Sequence, residues 1–324
     1  MLLILTNRAD LAADYLVVRL QERGLPYVRF NTEDFPKDVQ ISLDNSRQGW
    51  KWWIRVQGNK YDSSRFSAIY LRHLVLGDLS EVVSSDVAFA EQEVAEALRS
   101  LWRVIPDRLW LNHPRDVWLA SNKVLQLATA VELGLPVPRS LVSNSPEDIE
   151  TFAVGASKHG LVAKAVKHGF TERDGRIVLA GTQEFSPEAL TRPGVASSIP
   201  LVVQDRVPKR CDVRVVVVDR DVFPVRIHSD ISSQAAPDWR LQQLDGAELL
   251  HEPFDLPADV EEACRRLPAL FGLRYSSMDL IEDPEGTFWF LELNPNGQWA
   301  WIEQFAGHPI RDSLIRAFAF EADS

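Results

Sequence analysis

Near its C-terminal end the chain reads SSMDLIEDPEGTFWFLELNPNG over residues 276–297. Two largely apolar runs flank Asp-Pro-Glu-Gly, and Pro second with Gly fourth suits a type I turn, so the stretch is expected to be a hairpin. With Asp283 paired to Gly286, Asp279 would lie opposite Phe290 and diagonal to Glu292. Side chains alternate along a strand, so Phe290, Glu292 and Asn294 would share one face with Asp279. A bulge at the turn would change that register. Polar residues often close strands and Asn-Pro opens turns, but that accounts for any polar pair. Two carboxylates and an amide oxygen converging at strand ends suit a hard cation in particular. Mg2+ takes one or two carboxylates and completes its shell with waters and substrate phosphates. The hairpin therefore implies a nucleoside triphosphate partner.

Candidate phosphate ligands stand elsewhere in the chain. Lys164 is the one charged residue of the apolar strand GLVAKAV, and a buried lysine is costly without an anion. Lys123 follows Ser121-Asn122, a helix cap, and would point from a helix start. Arg214 lies two residues after Asp212 in CDVRVVVV, on the same strand face, and Arg240 lies in DWR. Taken singly, a strand lysine is more often an edge residue that snorkels to solvent. With the hairpin, these residues form one pattern.

Periodicity sets out the rest. LLILT, a helical stretch ending at Gly24 and PYVRFN give a strand-helix-strand opening, hence an α/β unit. No GxGxxG turn accompanies it, so the dinucleotide fingerprint is missing. GWKWWIRVQGNKYD reads as a hairpin turning at Gly58-Asn59, and a long helix is expected over residues 86–104. A helix from the Asn122 cap to Leu133, closed by Gly134, opens a different section. Strands follow over residues 201–229, with the turn Asp219-Arg220-Asp221. A helix over DVEEACRRLPALFGL then precedes the last hairpin. The order is an α/β unit, a helix-led middle section, then an antiparallel-rich α+β section.

Bulk composition narrows the partners. The 324 residues suffice for two or three domains, and a net charge of −11 with no long basic run argues against nucleic acid held through phosphates. Two cysteines, Cys211 and Cys264, make no disulfide framework, and the seven histidines offer no zinc-type spacing. The apolar start MLLIL is too short for a signal-peptide core, and no run approaches a membrane span. A cytoplasmic enzyme without a membrane partner is expected.

The ordered set Lys123, Lys164, VVQDRV, DVRVVVV, DWR, MDL and ELNPNG resembles the ATP-grasp ligases over residues 112–317. FNTEDFP, IYLRH and LNHP extend the likeness to the graspetide synthetases, macrocyclases that modify ribosomal peptides, over nearly the whole chain. The resemblance implies an ATP-grasp fold with an N-terminal α/β pre-ATP-grasp domain, a combined α/β and α+β class. Domains would cover residues 1–110, then a central subdomain 111–200 carrying Lys164, then a C-terminal subdomain 201–324 carrying the metal site.

Roles follow from the same resemblance. Lys123 and Lys164 would contact ATP phosphates. Gln204, Asp205, Arg206 and Val207 would form the hinge against adenine, mostly through backbone groups, and Asp212 or a neighbour would meet the ribose. Arg214 and Arg240 would face the transferring phosphoryl group or the substrate carboxylate. Asp279, Glu292 and Asn294 would hold Mg2+. The glycine loop VKHGFTERDG has only two glycines, fewer than many ATP-grasp enzymes carry, which leaves roles for Lys167 and His168 open. The expected activity is ATP-dependent activation of Asp or Glu side chains of a precursor peptide, comprising leader and core, followed by ester or amide ring closure. The enzyme is expected to be a homodimer, with Trp50, Trp52 and Trp53 as candidates for packing. An ATP-grasp ligase joining an amino acid to a small molecule or a protein terminus shares every ATP residue and is the alternative.

Overall fold

A computed structural model describes residues 1–47, 49–167, 170–173, 176–179, 182–185, 199–229 and 249–318. The chain opens with β1 (Leu2–Thr6), α1 (Leu11–Glu22) and β2 (Tyr27–Asn31). All five residues of β1 are buried because it is the central strand of a parallel sheet, with β2 on one side and β6 (Ala68–Leu71) on the other. Asp10 caps α1, and Gly24 (φ +64°) turns the chain out of it. Between β2 and β6 an antiparallel meander intervenes: β3 (Gln40–Ser46), β4 (Gly49–Val56) and β5 (Asn59–Asp62). Its second turn is Gln57-Gly58, one residue earlier than expected. Both residues have positive φ, the conformation that matches a tight hairpin to strand twist. Trp52 stacks on Phe66 inside the core, whereas Trp50 is 55% exposed. The helix α2 (Val87–Val104) buries Leu98 and Leu101 in the same core.

The middle section holds α3 (Pro114–Ala120), α4 (Lys123–Glu132), β7 (Ser140–Ser143), α5 (Pro146–Val154), β8 (Leu161–Ala165), β9 (Phe170–Arg173), β10 (Arg176–Leu179), β11 (Gln183–Phe185) and β12 (Leu201–Asp205). Neither α3 nor α5 was expected. Each begins with proline directly after a residue, His113 or Ser145, whose side chain caps the first turn. β12 pairs with β7 and β8, so the central sheet, ordered β11-β8-β12-β7, reaches past the boundary expected at residue 200.

The last section is a five-stranded antiparallel sheet, β15-β14-β13-β16-β17, made by β13 (Cys211–Val218), β14 (Asp221–His228), β15 (Leu250–Pro253), β16 (Tyr275–Glu282) and β17 (Phe288–Asn294). Helices α6 (Ala258–Leu270), α7 (Ala300–Ala306) and α8 (Ile310–Ala317) accompany it. All of β13 is buried, and its alternation divides the molecule. Val213, Val215 and Val217 join a core with Ala263, Cys264 and Leu267 of α6. Val216 and Val218 join another with Leu2 and Ile4 of β1 and Leu16 of α1. The N-terminal α/β unit thus covers one end of one sheet face. Asp212 and Arg214 lie on the same face, toward the other end. No helix among the described residues is long and apolar enough to cross a membrane.

Candidate active site

The hairpin β16–β17 departs from the expected register twice. Asp283 pairs with Thr287, not Gly286: the Asp283 amide donates to the Thr287 carbonyl (3.0 Å), with Gly286 at φ +85°. That extra residue sets Leu280 opposite Phe290. A second irregularity between Asp279 and Leu280 leaves Leu291 as an additional residue on β17 and sets Asp279 directly opposite Glu292. The expected diagonal neighbours are therefore a direct cross-strand pair. Arg214 of β13 is opposite Asp279 on its other side, so Arg214, Asp279 and Glu292 form one row across three strands. Asn294, opposite Ser277, begins the next row.

Within this row, Arg214 Nη1 donates to Asp279 Oδ1 at 2.6 Å. The Asn294 amide nitrogen bridges Asp279 Oδ2 (3.3 Å) and Glu292 Oε1 (3.4 Å). Lys123, at the first position of α4, reaches Glu292 Oε2 at 3.4 Å and the Ala165 carbonyl of β8 at 3.3 Å. Two carboxylates and an amide, flanked by two cations, are a hard-oxygen donor set that fits Mg2+ with water and phosphate completing the shell. The amide stands between the two carboxylates with its N–H side, and turning it over would present its oxygen to a cation there.

α4 is aimed by two amides. Asn122 Oδ1 accepts from Leu125 N at 3.0 Å, capping the helix at Lys123. Gln126, almost wholly buried, bonds the backbone of Leu293 as another strand would: its Nε2 donates to Leu293 O (2.8 Å), and its Oε1 accepts from Leu293 N (2.9 Å). The helix start bearing Lys123 is thereby tied to the residue between Glu292 and Asn294. Sequence reading missed Gln126, which looks like any polar residue on a helix.

Between the central and C-terminal sheets lies a pocket. Pro138, Val162, Ile281 and the bulged Leu291 line its apolar walls, and Lys164, Gln204, Asp205, Arg206, Val207 and Lys209 supply polar edges. The Gln204 side chain is committed to Ser140 Oγ (2.8 Å), and Asp205 to Arg139 (3.1 Å). The Asp205 and Arg206 amides donate to the Arg139 and Gly160 carbonyls. Asp212 accepts from Lys209 Nζ and Ser229 Oγ, each at 2.8 Å. Burial raises its carboxyl pKa, and the Lys209 ammonium opposes that. Lys167, exposed, lines a second surface hollow with Lys123, Trp118 and Val124. Arg240 and His168 lie outside the described residues.

The structure thus gathers Lys123, Arg214, Asp279, Glu292 and Asn294 at one place, and Lys164, Gln204, Asp205, Arg206 and Val207 around the adjoining pocket. Asp212 sits beside that pocket through Lys209. The turn after β17 is fastened from the N-terminal side. Asn112 of LNHP donates to the Pro295 carbonyl at 3.0 Å, and Arg72 of IYLRH donates to Gly297 O at 3.1 Å.

Residues 1–117 match the family described as the MvdD pre-ATP grasp domain. No curated protein matches the chain by sequence. Among solved structures, the macrocyclase MdnC of Microcystis aeruginosa MRC, bound with its precursor peptide MdnA, is 25% identical, with a TM-score of 0.86 over 99% of both chains. A ligase from Chryseobacterium gregarium, described as RiPP-associated and ATP-grasp, was solved with ADP and a leader and core peptide. It is 25% identical, with a TM-score of 0.88 over 99% of this chain and 97% of that one. The ATP-grasp ligase PsnB, complexed with a phosphomimetic variant of a minimal precursor, Mg and ADP, is 26% identical, with a TM-score of 0.74 over 98% of both chains. By whole-chain fold this chain is similar to these ATP-grasp ligases, and its residues 1–117 match the MvdD pre-ATP-grasp domain.

Proposed function

We propose that the protein uses ATP to activate an Asp or Glu side-chain carboxylate of a ribosomal precursor peptide and then closes an ester or amide ring within that peptide. The observation that carries this reading is the Arg214–Asp279–Glu292 row with Lys123 and Asn294 at its edge, beside a pocket lined by Lys164 and residues 204–207. The precursor-bound relatives support the choice of a peptide.

A carboxylate is a poor acyl donor because its leaving group would be oxide. In the proposed first step a peptide carboxylate oxygen bonds to the γ-phosphorus of ATP as the bond to ADP breaks. A Thr or Ser hydroxyl, or a Lys amine, then attacks the acyl carbon, phosphate leaves, and the nucleophile's proton is released. Two anions must approach, so positioning and charge neutralisation dominate the first step. Lys164 holds phosphate at the pocket edge, and Lys123 does so at the helix start. Val207 addresses adenine through its backbone, because the preceding two amides are bonded within the fold. Lys209 and Asp212 lie where a ribose would follow. Arg214 orients Asp279 and faces the transferring group, and Arg240 is assigned to the substrate carboxylate. Asp279, Glu292 and, once turned, Asn294 Oδ1 would hold Mg2+, which when bound neutralises phosphate charge.

The buried, unlinked thiols Cys211 and Cys264 are consistent with a cytoplasmic home. We further infer a homodimer, with exposed Trp50 as a contact, which sedimentation at micromolar protein tests. Intact mass after incubation with ATP and a Thr-, Ser-, Asp- and Glu-rich peptide tests the reaction. Each ring should remove one water and convert one ATP to ADP and phosphate. A mass gain of one amino-acid residue, the amino acid less one water, would establish the intermolecular ligase instead.

A further inference from the structure

Arg72 directly follows β6 of the N-terminal sheet, and its side chain is fully buried. A buried guanidinium is tolerated only when its donors are all met, and here each nitrogen is engaged. Nε and Nη2 bond the two oxygens of Asp10 at 3.0 and 3.3 Å. Nη1 donates to the Asn296 and Gly297 carbonyls at 3.3 and 3.1 Å, and Nη2 also reaches Gln298 Oε1 at 3.1 Å. One side of the fork is anchored at Asp10, the cap of α1, while the other grips the turn that follows Asn294.

That turn rests on the candidate site. A Cβ on Gly297 would overlap the Ser277 hydroxyl and come within 2.9 Å of Arg214 Nη2. Arg214 Nε is buried without a partner among the described residues, so its Nη1 bond to Asp279 and the weight of this turn hold its orientation. Tyr275 assists, donating from its hydroxyl to Gly297 O at 2.5 Å. A contact path thus runs Asp10–Arg72–Gly297–Arg214–Asp279.

We propose that Arg72 is a positioning residue for the metal end of the cleft: by clamping the turn at residues 296–298 onto Arg214, it keeps Asp279 and Asn294 in register with Glu292. The inference rests on the metal assignment made above. Lysine cannot serve instead, because one ammonium cannot bond both the Asp10 carboxylate and the turn carbonyls. Supporting groups behind metal ligands are worth about 10- to 100-fold in metal affinity.

Calorimetry of ADP binding, with Mg2+ and with a chelator, tests this without turnover. Wild type should bind ADP more tightly with Mg2+. Arg72→Lys should leave chelated ADP binding unchanged while Mg2+-dependent binding weakens by about tenfold, and half-saturating Mg2+ for ATP turnover should rise in parallel. Equal losses with and without Mg2+, or a lowered melting temperature with unaltered Mg2+ dependence, would reduce Arg72 to a structural role and overturn the proposal. Should Arg72→Lys not fold, Gln298→Ala removes a single exposed partner and decides: a smaller loss confined to Mg2+-dependent binding supports the clamp, and no loss rejects it. Glu292→Gln separates the two levels. If it abolishes the Mg2+ effect while the clamp variants do not touch it, only the Arg72 inference fails. If it leaves the effect intact, the metal assignment fails and the clamp with it.

Discussion

Asp279 and Glu292 face one another directly across β16 and β17, with Asp279 bonded on its other side to Arg214. Two carboxylates so placed gain from a cation between them, and neither is needed to hold the hairpin, whose turn is closed by Asp283. Glu292→Gln is therefore expected to lower turnover about a hundredfold, the size of losing one preorganised charge stabiliser. The melting temperature should stay near wild type. Phosphate release measured across a Mg2+ titration gives the answer, and wild-type rates at limiting Mg2+ would remove Glu292 from the site.

Lys164 lines the pocket from β8, with Val202 as its strand partner. Lys164→Ala should weaken nucleotide binding about tenfold or more, the lower range for a hydrogen bond to a charged group. Calorimetric titration with ADP is the measurement. An unchanged affinity would return the residue to a packing role, its ammonium snorkelling toward solvent.

Gly297 permits the close approach of its turn to Ser277 and Arg214. Gly297→Ala should cost about 1–3 kcal/mol through overpacking, seen as a lower urea midpoint. Because backbone and Arg214 must separate to admit the methyl group, activity should fall further than stability implies.

The buried pair Asp10–Arg72 makes a prediction in pH. Burial alone would raise the Asp10 carboxyl, but the Arg72 charge and hydrogen bonds from Arg72 and Thr6 outweigh it and hold the pKa at about 2 against an ordinary 3.8. A depressed carboxyl stabilises the fold fully above its unfolded value and loses that contribution as pH falls toward 2, about 2 kcal/mol in all. Asp10→Asn should accordingly lie well below wild type in thermal unfolding at pH 7, with the gap narrowing between pH 4 and 2. A gap independent of pH would show that the charge is not what matters.

The shared face of Glu292 and Asn294 was legible because side-chain alternation has a period of two. Phe290, expected beside them, instead packs with Leu280 in the core on the other face, because the bulge at Leu291 breaks the alternation. The register was not legible, because Leu291 carries no mark distinguishing a bulged leucine from a paired one. The Asn122 cap announced α4 and Lys123, since short polar side chains and helix starts go together. Sheet membership stayed hidden: β12 and β13 follow closely in sequence yet pair with different partners, as local composition does not encode the neighbour. Arg72 and Gln126 escaped for a related reason. Each acts on backbone carbonyls or amides more than 150 positions away, and backbone groups leave no signature in a sequence.

The clamp formed by Arg72 also bears on how the protein comes into being. Synthesis delivers domains in N- to C-terminal order, and domains generally fold as units. Here the first unit contains a buried charge whose remaining acceptors, at residues 296–298, are made 224 or more residues later. Its apolar face is likewise completed by Val216, Trp299 and Leu314. Until those residues emerge, Arg72 has only Asp10 among these partners, and β1 and α1 keep part of their shared surface in water. The nascent N-terminal unit is thus held short of its final state, and completing it and assembling the candidate site become one folding event.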